Sequence, residues 1–218
     1  MQSGSGLPTA EGHEAMKPYL RPPPQYQLIL ASQSPRRKHL LAEAGIFSDD
    51  VICADIDEKP IKNERPADYV LRMAREKGHA VFSRLGGQFV LSADTAVICG
   101  QRILPKTETV EEASRCLELL SGRRHRVYGG ICLHLPDGGW RTKLSVSRVK
   151  FRPLSPTDKH AYLQSEEWQG KAGGYAIQGR AGLYVRQITG SYSNIVGLDM
   201  HKVAGLLLSV GFDYVQPE

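Results

Sequence analysis

Cysteine is scarce in this chain of 218 residues, and long apolar runs are missing. The four cysteines lie far apart and form no CxxC pair: Cys53, Cys99, Cys116 and Cys132. This spacing favours free thiols in a reducing cytoplasm over a disulfide framework or a cysteine metal site. No segment has the length and apolar content of a membrane span, and the N-terminus carries no charged-then-apolar signal pattern. We therefore expect a cytoplasmic protein with no membrane partner.

Two common sequence patterns for binding nucleotide phosphates are also missing. Residues 170–182 are rich in glycine but do not read GxGxxG, and no GK[ST] stands at the P-loop spacing. Dense glycine still lets backbone approach a ligand closely or adopt positive φ. Lys171 and Gln178 are the polar side chains that could reach a ligand in this stretch. The alternative is that most of these glycines simply form turns.

Composition fits a single α/β domain, built as one lobe or two, with enough core to fold alone, since 41% of the residues are hydrophobic. The net charge of +5 is mild and spread along the chain, so it favours anionic ligands only weakly. Residues 1–25 are rich in serine, glycine and proline, and we expect a disordered N-terminal tail there. The folded domain is then expected over residues 26–218.

A strand that turns directly into a helix is the first strong signal. Residues 28–31 are apolar, Ser34 is a good N-cap, and Pro35 suits the first helical position. Arg36 and Arg37 stand in the first turn, where a helix favours negative charge. Together with serine hydroxyls and free backbone N–H groups they would cradle a polyphosphate. The alternative is that both arginines point into solvent.

Carboxylates appear at two places where chemistry is possible. Asp94 interrupts the apolar run of residues 89–98, and an unpaired carboxylate is costly to bury, so it needs a metal, a cation or a catalytic task. We expect Asp94 at a strand end, where open α/β sheets bind ligands; a capping role is the alternative. Glu58 closes an acidic loop over residues 55–58 that could hold Mg²⁺ or be a solvated turn. A helical pattern over residues 66–77 carries Lys77.

The densest basic cluster covers residues 123–126, just before a predicted strand. It is short, and no RNA-binding aromatic motif lies near it. It therefore favours a solvated turn or a few phosphate contacts over binding of nucleic acid.

Five short motifs stand in the order found in one known family. They are residues 32–37 (SQSPRR), residues 92–95 (SADT), residues 120–122 (LSG) with His125, the stretch from GKAG at residues 170–173 to IQG at residues 177–179, and residues 194–198 (NIVGL). In this order, over about residues 28–210, the chain resembles the Maf-like nucleotide pyrophosphatases. That resemblance implies an elongated α/β fold with a central mixed sheet and a cleft between two lobes, similar to inosine triphosphate pyrophosphatases.

The resemblance also implies an activity, a cofactor and site residues. Such proteins hydrolyse nucleoside triphosphates between the α and β phosphates with a divalent metal, commonly Mg²⁺ or Mn²⁺. Asp94 would be the catalytic base, a metal ligand, or both, and Glu58 would help to place the metal. The family's phosphate-binding cations match Arg36, Lys77 and Lys106. A homodimer is the oligomeric state that the resemblance suggests.

Substrate choice is expected from three positions. Asp94-Thr95 and Ile177-Gln178-Gly179 resemble the dTTP and UTP type, and Arg36, Thr95 and Gln178 match positions linked to specificity. The alternatives are a 7-methyl-GTP pyrophosphatase and a non-catalytic regulator of septum formation. Departures from the family pattern occur around Lys106, which lacks the usual flanking Gly and Pro, at Gly129 in place of Thr, and at Asp199 in place of Pro.

Overall fold

The computed structural model describes residues 19–216. Its helices are α1 (Pro35–Glu43), α2 (Pro66–Leu85), α3 (Val110–Leu120), α4 (Pro156–Gln164), α5 (Tyr192–Val196) and α6 (Met200–Leu208), with a 3-10 helix at Arg180–Tyr184. Its strands are β1 (Tyr19–Arg21), β2 (Leu28–Ala31), β3 (Asp50–Ile52), β4 (Phe89–Cys99), β5 (Arg102–Leu104), β6 (Lys106–Thr107), β7 (Arg124–His134), β8 (Trp140–Phe151), β9 (Lys171–Ala172), β10 (Val185–Thr189) and β11 (Asp213–Val215). No described helix is long and apolar enough to cross a membrane.

A mixed sheet of seven strands forms the centre of the fold. The resemblance described above implied a central mixed sheet. The strand order is β10-β8-β7-β4-β2-β3, with β5 paired to β4. Strand β2 runs parallel to both β3 and β4, whereas β4, β7, β8 and β10 pair antiparallel in succession. Two small antiparallel pairs, β1–β11 and β6–β9, lie outside this sheet.

Two large apolar clusters lie along the long strands β4 and β7. One cluster packs α1 and α6 against β2 and the first half of β4, with Leu41 and Leu207 almost fully buried. The other packs α3 and α4 around the far halves of β4, β7 and β8, with Leu117 and Tyr162 at its centre. The predicted cleft lies between these two clusters, beside β4.

The strand-to-helix turn after β2 forms as predicted. All four residues of β2 are buried, and α1 begins with Pro35 at its first turn after the extended N-cap residue Ser34. The side chain of Ser34 makes no capping hydrogen bond. Helix α1 ends before Gly45, whose φ of 67° suits glycine.

Two predictions about local structure need correction. Asp94 lies in the middle of β4, not at its end, because β4 continues to Cys99 after its parallel neighbour stops. The basic cluster is not a turn, since residues 124–126 begin β7. Residues 1–18 of the expected tail lie outside the described residues. Residues 19–21 form strand β1, which pairs with β11.

A steric prediction follows from the contact between α2 and β7. A Cβ atom on Gly130 would lie 2.1 Å from the carbonyl oxygen of Val70, which is backbone within α2. We expect Gly130→Ala to lower the free energy of unfolding by about 1–3 kcal/mol, because the helix must move away from the sheet. Gly205→Ala in α6 is the matched control, since nothing lies within 4 Å of its added methyl group. Urea unfolding of both variants tests this, and equal stabilities would contradict the packing described.

Candidate active site

An unpaired stretch on one edge of β4 creates the cleft. Strand β2 pairs with β4 only as far as Ala31 opposite Ser92, and β5 pairs with it only from Val97 onward. Neither strand pairs with the intervening residues 93–96, so an opening lies beside them. Adjacent residues of a strand point to opposite faces of a sheet. Asp94 and Thr95 can therefore both border the opening, one from each face.

A cavity of about 390 Å³ fills this opening. The N-terminal end of α1 enters it from one side, and the β6–β9 pair borders the other. Its polar and charged lining side chains are Ser32, Gln33, Ser34, Arg36, Arg37, Glu58, Lys77, Asp94, Thr95, Lys106, Glu108, Gln169, Lys171 and Tyr175.

Two carboxylates and two lysines form a chain of ion pairs in the cavity. Lys77 Nζ, from α2, lies 2.7 Å from Asp94 Oδ1 and 2.9 Å from Glu58 Oε1. Glu58 also accepts a hydrogen bond from Lys106. Burial raises the pKa of Glu58, but its hydrogen bonds with the two lysines outweigh burial and hold that pKa below its usual value. Oδ2 of Asp94 accepts no hydrogen bond within the described part of the chain, so it remains available to a water molecule or a cation.

The buried side chain of Arg37 connects the elements on both sides of the cleft by hydrogen bonds. Its Nε donates to the carbonyl oxygen of Gly197 at 2.9 Å, and its two terminal nitrogens donate to Ser32 Oγ at 3.3 Å and Thr95 Oγ1 at 3.1 Å. Thr95 also donates to the Gly197 carbonyl at 3.3 Å. Arg37 therefore joins α1, β4 and the loop after α5, and its charge stays next to the cavity.

Arg36 and Lys171 carry charge that lacks a carboxylate partner. Neither makes an ion pair within the described residues, and the buried Nε of Arg36 has no hydrogen-bond partner. Burial and the neighbouring Arg37 lower the pKa of Arg36, and burial and Arg36 lower the pKa of Lys171. An anion bound between these side chains would relieve both effects. The site is therefore suited to a phosphate chain, with the end of α1 adding free N–H groups.

Nearly all of the predicted site residues meet in this cavity. It is lined by Ser34, Arg36, Arg37, Glu58, Lys77, Asp94, Thr95, Lys106 and Lys171. Gln178 is the exception, since it is exposed and does not line the cavity. The segment before it turns inward, with Tyr175 and Ile177 buried in the core, and the chain then leaves the core at Gln178.

Several contributors to the site were not predicted as site residues. Ser32 and the Gly197 carbonyl hold Arg37, and Tyr175 lines the cavity wall. Ser32 and Gly197 belong to motifs visible in the sequence. Ser32 contacts Arg37 within one local turn, but the contact of Gly197 with Arg37 spans 160 residues. Tyr175 OH in turn lies 2.8 Å from Nε2 of the buried His125.

Two buried histidines make stability depend on pH. Burial lowers the pKa of His125 to about 4, and burial together with His79 and Arg75 lowers that of His134 to about 4. In the unfolded chain the pKa of histidine is near 6.5, so the unfolded chain binds protons at a higher pH than the folded protein does. We therefore expect full stability above pH 6.5 and a loss of about 1.4 kcal/mol per pH unit per histidine between pH 6.5 and 4. Urea unfolding of wild type and of a His125→Gln, His134→Gln variant checks this. An unchanged slope in the variant would contradict it.

Comparison with known proteins decides the family. A family model described as "Maf-like protein" matches residues 27–210, which is most of the chain. This chain belongs to the Maf family. Proteins named "dTTP/UTP pyrophosphatase" from Chelativorans and Paramagnetospirillum magneticum share 52% and 54% identity with it, over 85% of this chain and 92% and 97% of their own lengths. The Staphylococcus aureus Ham1 protein aligns with a TM-score of 0.49 and 13% identity, over 84% of this chain and 99% of that one.

Two of the departures from the Maf pattern have structural roles here. A Cβ at Gly129 would lie 2.0 Å from Oδ1 of the buried Asn194, so glycine leaves room for that amide. Asp199 caps α6 through the N–H of Lys202 and accepts a hydrogen bond from Ser145 at 2.5 Å. Both positions support the loop that contains Gly197, and the carbonyl oxygen of Gly197 accepts a hydrogen bond from Arg37.

Proposed function

We propose that this Maf protein hydrolyses dTTP and UTP to the nucleoside monophosphate and pyrophosphate. The observation that carries the proposal is the carboxylate of Asp94, fixed by Lys77 beside a group of cations in one cavity. The two relatives named as dTTP/UTP pyrophosphatases, at 52% and 54% identity, support the substrate. A carboxylate is the group needed to activate water, and cations are needed where charge develops on phosphate.

A divalent metal is part of the proposal, and the donor set fits it. Mg²⁺ in nucleotide sites binds through one or two carboxylates together with substrate phosphates. Glu58 and Asp94 provide two carboxylates that converge on one atom, Lys77 Nζ. No three His, Cys, Asp or Glu side chains gather as a metal site within residues 19–216. Substrate phosphates and water would complete the coordination. Bound there, Mg²⁺ or Mn²⁺ would neutralise phosphate charge and polarise the bond to be broken.

The chain's own side chains then divide the work. Asp94 accepts a proton from the attacking water, while Lys77 holds its carboxylate in place. Arg36 and Lys171 bind phosphate oxygens. This binding offsets the unfavourable free energy of holding their positive charges half-buried without a partner. Lys106 and the N-terminal end of α1, including Ser34, add donors on the same side. Arg37 orients this end of the helix by its contacts to Thr95 and Gly197.

Base recognition is the finer part of the proposal. Thr95 lines the cavity and is expected to influence substrate choice through Arg37. Gln178 could pair with a pyrimidine edge as donor and acceptor, but only if its segment moves toward the cavity. A homodimer and a cytoplasmic location stay predictions as well.

A substrate panel tests the proposed function. Pyrophosphate release is measured from dTTP, UTP, CTP, GTP and 7-methyl-GTP, with Mg²⁺ or Mn²⁺ and with a chelator. We expect dTTP and UTP to be hydrolysed fastest and chelation to stop release. A clear preference for 7-methyl-GTP would contradict the substrate assignment. No release from any of the five would favour the binding regulator.

A further inference from the structure

A group of cations outside the cavity lies on the sheet and its edge. We call it the basic face, and it consists of Arg102, Arg123, Arg124, Arg126, Arg148 and Lys150. Five of these side chains are exposed and Lys150 is half-buried. All of them except Arg126 line two adjoining depressions that share Arg124 and Lys150. No residue of either depression lines the candidate active site.

Strand register places like charges directly against each other on this face. Arg124 pairs with Lys150, and Arg126 pairs with Arg148, across β7 and β8. Alternate residues of β7 point inward, as the buried His125 and Val127 show, so the cations share the outer side. Like charges directly opposite each other destabilise a sheet. The arrangement therefore opposes folding in the isolated protein.

Acidic side chains form no direct contact with these cations in the described part of the chain. Neither depression is lined by Asp or Glu, and none of the six cations makes an ion pair within residues 19–216. Five of them also make no side-chain hydrogen bond there; only Arg126 does, donating to the carbonyl oxygen of Gly100 at 3.2 Å. The positive charges of the basic face are consequently available to an anionic ligand in solution.

We propose that the basic face binds the sugar–phosphate backbone of a nucleic acid. Successive outward cations on one strand are about 6.7 Å apart, and neighbouring strands are about 4.8 Å apart, which makes an open lattice of positive charge. Such a lattice suits an extended chain of phosphates better than one compact anion. No exposed aromatic side chain lines either depression, so the contacts are with phosphates and carry no base preference.

Fluorescence anisotropy with labelled oligonucleotides tests the proposal. The probes are a 20-nucleotide single-stranded DNA, the same RNA, and the DNA duplex, each titrated at several salt concentrations. We expect a dissociation constant on the order of 10⁻⁴–10⁻⁶ M at physiological salt, with much tighter binding at low salt. Binding of any of the three probes fits the proposal, and the ranking identifies the preferred form.

Two double variants distinguish binding at the basic face from binding caused by the overall positive charge of the protein. Arg124→Ala with Arg148→Ala removes two side chains that make no hydrogen bond, so we expect a melting temperature equal to or above wild type. The salt slope for single strands should fall by roughly 1.4, with at least about tenfold weaker binding at low salt. Arg84→Ala with Lys143→Ala removes the same charge from exposed positions outside the face.

Two results would overturn the proposal. One is no binding of any probe at low salt, and the other is equal weakening by the two double variants. Hydrolysis of dTTP should be unchanged in Arg124→Ala with Arg148→Ala, because neither residue lines the active-site cavity. Loss of oligonucleotide binding and loss of nucleotide hydrolysis are thus scored separately.

Discussion

Asp94→Asn is expected to lower kcat for dTTP hydrolysis by about 10²- to 10⁴-fold, the usual contribution of a general base. The amide keeps the shape of the side chain but cannot accept a proton from water or bind a cation as a carboxylate does. The fold should survive, because Lys77 keeps Glu58 as a partner at 2.9 Å. Initial rates of pyrophosphate release, with circular dichroism of the same preparation, measure both effects.

The matched control for this experiment lies in the acidic loop. Asp55→Asn removes a carboxylate that is exposed and does not line the cavity. We expect its kcat to stay within about twofold of wild type, as ordinary surface changes leave the site intact. If Asp94→Asn keeps more than a tenth of wild-type kcat, the base must be another group.

Lys77→Met is expected to lower stability and activity together. The side chain of Lys77 is 9% exposed and that of Asp94 is 4% exposed, so the substitution leaves a buried carboxylate without its cation. Breaking a buried ion pair from one side costs about 3–5 kcal/mol. Methionine keeps most of the apolar stem, so the loss reports mainly on charge. Urea unfolding and pyrophosphate release measure the two effects.

Lys106→Met is the matched comparison because the same change is made at a side chain that is 50% exposed. An exposed pair contributes about 0–1 kcal/mol, so stability should change little while phosphate binding weakens. Adding Asp94→Asn to Lys77→Met should restore much of the lost stability, since the unpaired charge is then gone. Equal losses in Lys77→Met and Lys106→Met would show that the pair with Asp94 is not the one that matters for stability.

Local sequence patterns were enough to predict the parts of the site that are built from single segments. The apolar run of β2 predicts a strand, and Pro35 predicts the start of a helix. The two arginines that follow predict an anion site at the junction of the two. The apolar run around Asp94 predicts a covered central strand that carries a carboxylate. Each of these features depends on neighbours within about ten residues, where periodicity and capping preferences are informative.

Features set by distant pairing could not be read in the same way. The opening beside Asp94 exists because β2 stops opposite Ser92 and β5 starts opposite Val97, and neither limit is encoded near Asp94. The cations of β7 look like part of a turn until β8 pairs with them and sets Arg148 against Arg126. The exposed position of Gln178 likewise follows from how the preceding residues pack into the core.

The most direct test of the central claim is to identify the products formed from dTTP. Chromatography of the nucleotides, with a separate phosphate and pyrophosphate assay, distinguishes the two bonds that could be broken. The account predicts dTMP and pyrophosphate in equal amounts, and at least about 100-fold slower formation of both by the Asp94→Asn variant at the same enzyme concentration. Formation of dTDP and inorganic phosphate would contradict it, because the wrong phosphoanhydride bond would then face Asp94.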